Sequence, residues 1–228
     1  MAFMTEMSGE AKQSTKKLRF TLLAAFFNYI KNSADPGSQN PCDNLALRKL
    51  FRAGRPIRFK ILEKDVVDEI IFRTPNPRNR LLLELMARAG MRVGEVVKLR
   101  PKDIEDRKAI IRAPKSGKGA EAAFLPQKVA DRLHRYTTDK GLEPEGRIFP
   151  ITYAAARIIV KKAGDLVGIH LKPHDLRRHA ATYASGSGTP LEIVSNVLLR
   201  HSNLSTTQVY LGKISDAEAI RWIDNLHG

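Results

Sequence analysis

Residues 172–211 read KPHDLRRHAATYASGSGTPLEIVSNVLLRHSNLSTTQVYL. His174 and Arg177 stand three apart, the spacing that sets two side chains on one face of a helix. Gly186-Ser187-Gly188-Thr189-Pro190 interrupts that helix, and Pro190 suits the first turn of the next. Leu191, Val194, Val197 and Leu198 then predict a buried helix. His201 and Tyr210 close the stretch. A tyrosine hydroxyl, with an intrinsic pKa of about 10, is a poor nucleophile near neutrality and needs cations to favour its phenolate. A phosphorus under attack needs donors aimed at its equatorial oxygens, which guanidinium and imidazole groups supply. The set therefore suits attack on a phosphodiester.

Composition points the same way. The chain has 228 residues, 43% of them apolar, enough for one large domain or a domain with a small appendage. Its net charge of +15 implies a polyanionic partner, most simply nucleic acid. Charge alone also fits plain solubility or a ribosome-associated protein. Cys42 is the sole cysteine, which excludes a disulfide framework and a cysteine-based zinc site. The sequence has no apolar run of about 18 residues and no visible signal peptide, so a cytoplasmic protein is expected.

Working outward, Ser14 to about Asn32 predicts an amphipathic helix with Leu18, Leu22, Ala25, Phe26 and Tyr29 along one side. Lys16, Lys17 and Arg19 crowd its start, where they oppose the helix dipole unless a phosphate sits there. A breaker-rich loop, a short helix from Asp43 to Phe51 and a basic linker with Arg55, Arg58 and Lys60 follow. Residues 1–60 hold 11 Lys and Arg against 4 Asp and Glu, a net +7. Helices are predicted from Glu63 to Phe72, broken by Pro75 and Pro77, and from Asn79 to Ala89, stopped by Gly90. Strand patterns flank Lys115-Ser-Gly-Lys-Gly119 and, with Asp103 to Glu105, predict a three-stranded sheet. Helices over Pro126–Asp139, Thr152–Val167 and Ser215–Leu226 complete the pattern. Tyr183 reads as core, and Arg178 and His179 as facing DNA or packing.

Three motifs now stand in order. Gly90-Met-Arg92-Val-Gly-Glu95 leads to Leu99; His174-Asp-Leu-Arg177 follows; Leu199-Arg200-His201 runs through Thr206-Thr207 to Tyr210. Together they resemble the tyrosine recombinase, or phage integrase, family, whose boxes are G-x-R-x-x-E-x-x-x-L, H-x-x-R and L-G-H-x-x-x-x-T-T-x-x-Y. Arg200 stands where the family usually has glycine, a departure that bears on the local turn. The resemblance covers residues 61–214 well and 14–60 loosely.

The resemblance implies a mainly α fold with a small three-stranded antiparallel sheet, the DNA breaking-rejoining catalytic fold, over 61–228. Residues 1–60 would be a partial helical core-binding region and basic linker. It implies Tyr210 as nucleophile, Arg92 and Arg177 on the non-bridging oxygens, and His174 taking the tyrosine proton. Lys115 would be general acid, with Lys118 the alternative, and His201 a donor to a non-bridging oxygen. Glu95 would orient its neighbours. Lys16, Lys17, Arg19, Arg55, Arg58, Lys60, Lys172, Arg178 and Arg200 are the expected DNA contacts. The implied partners are double-stranded DNA and further copies of the chain, a tetramer on DNA, with no membrane, metal or cofactor. The implied activity is site-specific recombination through a 3′-phosphotyrosine. A DNA-binding remnant without catalysis and a type IB topoisomerase-like relaxing enzyme are the competing readings.

Overall fold

The computed structural model describes residue 6 and residues 9–52, 61–112, 119–201 and 203–211, with the backbone alone for 205 and 209–211. Lys115, Lys118, Arg55, Arg58, Lys60 and the helix expected over 215–226 lie outside the described residues. The chain divides into two compact units, Met1–Arg58 and Phe59–Gly228. The architecture is mainly helical with one three-stranded antiparallel sheet, in the order β1-β2-β3.

The first unit is built on α1 (Gln13–Ser33) and α2 (Leu45–Leu50). The stripe expected to pack is the exposed one: Leu18, Leu22, Phe26 and Tyr29 are 56–67% exposed. The less exposed face is Phe20, Leu23, Ala24, Phe27 and Ile30. Both faces of α1 are apolar, so period alone does not choose between them. Phe20 stacks on Phe51 with ring centroids 4.9 Å apart, which selects the observed face. The long loop is tied back by Asn40, whose Nδ2 donates to Asn28 Oδ1 (2.7 Å) and Ala24 O (3.1 Å). Asn44 caps α2 by accepting from Ala46 N at 2.8 Å.

The second unit centres on α4 (Pro77–Arg88), in which every residue from Leu81 to Ala87 is buried. A helix apolar nearly all round must lie inside, and α4 packs against α3 (Lys64–Arg73), α6 (Gln127–Asp139) and α8 (Pro173–Gly186). Its one buried acid, Glu84, accepts both prongs of the Arg132 fork, at 2.7 and 3.0 Å. Pro75 ends α3 as expected, but Pro77 does not break a helix. It occupies the first turn of α4 behind the Asn76 cap, where its missing N–H costs nothing.

The short α5 (Val93–Val96) leads to β1 (Ile104–Glu105), β2 (Lys108–Ile111) and β3 (Glu121–Phe124). Ala109 pairs with both Ile104 and Ala123, and the alternation along β2 turns Ala109 and Ile111 into the core. After α7 (Tyr153–Asp165) and α8, residues 193–198 form a π-helical turn rather than a continued α-helix, and α9 spans Leu204–Leu211. Tyr183, expected in the core, is 45% exposed and stacks its ring on His179, 5.8 Å away. No helix among the described residues is long and apolar enough to cross a membrane.

Candidate active site

Gly90 is where the site begins. It ends α4 with φ +58°, a left-handed conformation that glycine adopts without strain. A Cβ there would lie 2.9 Å from the Leu198 carbonyl oxygen, so only glycine lets the π turn approach. The chain then extends through Arg92, which precedes α5. Glu95, one turn on, accepts from Arg92 N at 2.8 Å and from Arg92 Nη1 at 2.7 Å. The same carboxylate accepts from Arg200 Nη2 at 2.7 Å. Burial pushes the Glu95 carboxyl up, but Arg200 and Arg92 outweigh it and hold the group below the ordinary carboxylate range.

Arg200 was expected on DNA. It is instead 7% exposed and committed to Glu95, 105 residues away. Its φ is +50°, a left-handed conformation that favours glycine, and its side chain closes an ion pair. Arg178 is likewise turned inward, 6% exposed and paired with Asp175 at 3.1 Å. Both side chains are turned to ion pairs within the fold.

Two substitutions at Arg200 separate backbone from side chain. Arg200→Gly and Arg200→Ala both remove the ion pair, but only glycine is relaxed at φ +50°. Arg200→Gly is expected to be the more stable of the two by about 1 kcal/mol in urea denaturation. Equal stabilities would mean that the turn carries no strain.

His174 and Arg177 share one face of α8, as their spacing requires, and both line one cleft with Arg92. Arg177 is 1% exposed; its guanidinium donates to the carbonyls of Gly90 and Leu199, tying the first motif to the third. His174 stands nearer solvent. Partial burial in the cleft wall and the positive charges of Arg178 and Arg177 press its pKa down, against a weaker pull from Asp175.

His201 follows the π turn. Its backbone N donates to Ser195 O at 2.9 Å, and its Nδ1 lies 2.9 Å from Thr207 Oγ1. Thr207 Oγ1 is in turn 2.9 Å from Ser195 Oγ, and both hydroxyl residues are fully buried. Burial, then the fields of Arg177, Arg92, His174 and Arg200, push the His201 imidazole down to about 4, so the ring is neutral at pH 7. Tyr210 lies on α9, one turn beyond Thr207.

The depressed histidines set a pH dependence. An unfolded imidazole takes up a proton near its ordinary 6.5, whereas folded His201 does so only at about 4. His174 and His179 are shifted in the same direction, His179 chiefly by burial. The unfolded state thus binds more protons in this range, so stability is full above pH 6.5 and falls as pH drops towards 4. Melting temperatures between pH 7.5 and 4.5 should show this decline, and His201→Gln should flatten it. An unchanged slope in that variant would refute the His201 contribution.

The cleft has a volume of about 1130 Å³, with Arg92, His174 and Arg177 among its lining. Lys172 is exposed and lines it as well. Lys98, Arg100, Arg112 and Arg157 join it there, and none was singled out from the sequence. Isolated cations in loops and on a helix give no local signal; only the fold gathers them. Lys16, Lys17 and Arg19 belong to the first unit, with Lys17 exposed and the other two half-buried. Among the described residues no cluster of His, Cys, Asp or Glu is arranged to hold a metal ion.

Comparison with known proteins agrees with this arrangement of motifs. The phage integrase family matches residues 60–215, the span that carries Arg92, His174, Arg177, His201 and Tyr210. The chain belongs to the phage integrase family. A tyrosine recombinase of Pseudothermotoga lettingae is 31% identical over 230 residues, covering 95% of this chain and 78% of that protein. Tyrosine recombinase XerA of Pyrococcus horikoshii is 32% identical over 161 residues, 66% of this chain and 56% of that protein. This kinship places the chain among recombinase enzymes. In fold it is similar to XerH site-specific recombinase in a post-cleavage complex with a palindromic difH substrate, with TM-score 0.74, 21% identity and coverage of 100% of this chain and 69% of that one. It is also similar to the Tn1549 transposon integrase in complex with transposon right end DNA, with TM-score 0.73, 17% identity and coverage of 100% and 83%.

Proposed function

We propose that this integrase-family protein carries out site-specific recombination of double-stranded DNA through a covalent 3′-phosphotyrosine. The observation that carries the reading is the convergence of Arg92, His174 and Arg177 on one basic cleft, with neutral His201 electrostatically coupled to them and Tyr210 on the next helix.

The chemistry follows from those groups. Tyr210 Oη attacks phosphorus as His174 takes its proton; the P–O5′ bond breaks, and Lys115 protonates the leaving 5′-oxygen. Arg92 and Arg177 stabilise the charge gathering on the non-bridging oxygens, and His201 donates to one of them. Their anchorage on Glu95 and on two backbone carbonyls orients the two guanidinium groups before DNA arrives. A second strand's 5′-hydroxyl then attacks the phosphotyrosine and reverses the sequence. The phosphotyrosine conserves the energy of the broken bond, so ligation needs no nucleotide. Lys98, Arg100, Arg112, Arg157 and Lys172 hold the flanking phosphates, which makes affinity fall steeply with salt. Further copies of the chain assemble on the same DNA to exchange strands.

The test is a nicked suicide substrate built from the DNA flanking the gene, whose cleaved end diffuses away and leaves the intermediate trapped. The expected product is a protein–DNA adduct mapping by mass spectrometry to the peptide containing Tyr210. DNA binding with no adduct on any candidate site would point to a non-catalytic DNA-binding protein instead.

A further inference from the structure

His201 has to present a hydrogen to a phosphate oxygen, yet its surroundings keep the ring neutral at pH 7. A neutral imidazole has one N–H, so which nitrogen carries it decides which side of the ring donates and which accepts. Nδ1 faces Thr207 Oγ1, and that oxygen faces Ser195 Oγ, each at 2.9 Å. The hydrogens of such a chain can run in either sense. If Thr207 gives its hydrogen to Ser195, Nδ1 must give its own to Thr207, and Nε2 is bare. If Ser195 gives to Thr207, then Thr207 gives to Nδ1, and Nε2 carries the hydrogen.

Burial discriminates between the two. Ser195 and Thr207 are both 0% exposed, so neither hydroxyl reaches solvent. Among the described residues, Thr207 Oγ1 is the only hydrogen-bonding partner of Ser195 Oγ. In the first sense the Ser195 hydrogen would be buried without an acceptor, which costs about 1–3 kcal/mol. In the second every hydrogen of the chain is used. The π turn is what aims Ser195 inward: Leu199 N reaches back five residues to Val194 O at 2.9 Å, and Ser195 O accepts from His201 N at 2.9 Å. Ser195 therefore holds His201 from two sides, through its own carbonyl and through the hydroxyl of Thr207.

We propose that Thr207, oriented by Ser195, is a positioning residue that fixes His201 as the Nε2–H tautomer, so that the ring donates through the nitrogen opposite Thr207. The same threonine sits one turn before Tyr210 on α9, which ties the placement of the donor to the helix that bears the nucleophile. The catalytic part of this inference rests on the recombinase reading; the tautomer does not.

The experiment is ring-nitrogen NMR on the full-length, DNA-free chain labelled with ¹⁵N-histidine at pH 7.5, with His201 assigned by the signal lost in His201→Gln. The expected result is a protonated Nε2 and an unprotonated, hydrogen-bonded Nδ1. The reverse assignment overturns the proposal. In parallel, Thr207→Val should slow adduct formation by about 10- to 100-fold at saturating DNA, with little change in DNA affinity. Thr207→Ser, which keeps the hydroxyl, should recover most of the rate. A valine variant that cleaves at the normal rate, or a serine variant no faster than valine, also overturns it. Absence of any adduct in the unaltered protein would sink the recombinase reading while leaving the tautomer result standing.

Discussion

Arg177→Ala is expected to lose strand cleavage and fold stability together. The guanidinium is fully buried and donates to the carbonyls of Gly90 and Leu199. Removing it strands two buried acceptors at about 1–3 kcal/mol each and leaves a cavity, so a loss of about 3–5 kcal/mol is expected. Lysine should rescue little of it, because one ammonium cannot span two carbonyls as a planar fork does. At a temperature where the variant is still folded, cleavage should fall by about a thousandfold or more, the usual scale for a lost donor to a developing charge. Urea denaturation and single-turnover cleavage measure the two effects separately. Full stability with lost cleavage would refute the structural role, and lost stability with near-normal cleavage would refute the chemical one.

Tyr210→Phe should do the opposite: it removes one oxygen and leaves the fold alone. Melting temperature and DNA affinity are expected to match the unaltered chain, while adduct formation falls by about four orders of magnitude or more. A rival nucleophile has to be excluded, because Tyr153 also lines the cleft and is 54% exposed. Tyr153→Phe is therefore the informative companion. If Tyr210→Phe still forms adduct and Tyr153→Phe does not, the nucleophile has been misassigned.

Much of the second unit was legible because its helices obey a single period. The Leu81, Leu82, Leu85 and Met86 pattern and the Gly90 stop predict α4 to within two residues at its start and one at its end; the start was missed because a breaker and a helix starter look alike at Pro77. The motif residues were legible for another reason: their types and order carry chemistry whatever the packing. What escaped reading depends on partners far along the chain. Arginine is usually exposed, and only the placement of Glu95 reveals why Arg200 is not. The π turn has no period of its own, and nothing in the sequence singles out Ser195. In α1 two apolar stripes compete, and Phe51 rather than the helix decides which one packs.

The contact between Gly90 and Leu198 limits how the family's parts can be exchanged. Because a methyl group on residue 90 would meet the backbone oxygen of residue 198, the first motif and the segment ahead of the third are matched in size. A chimera that imports either segment from a relative keeps that fit only if residue 90 remains glycine. Shuffling libraries built from this chain should therefore recover functional hybrids only with glycine at that position.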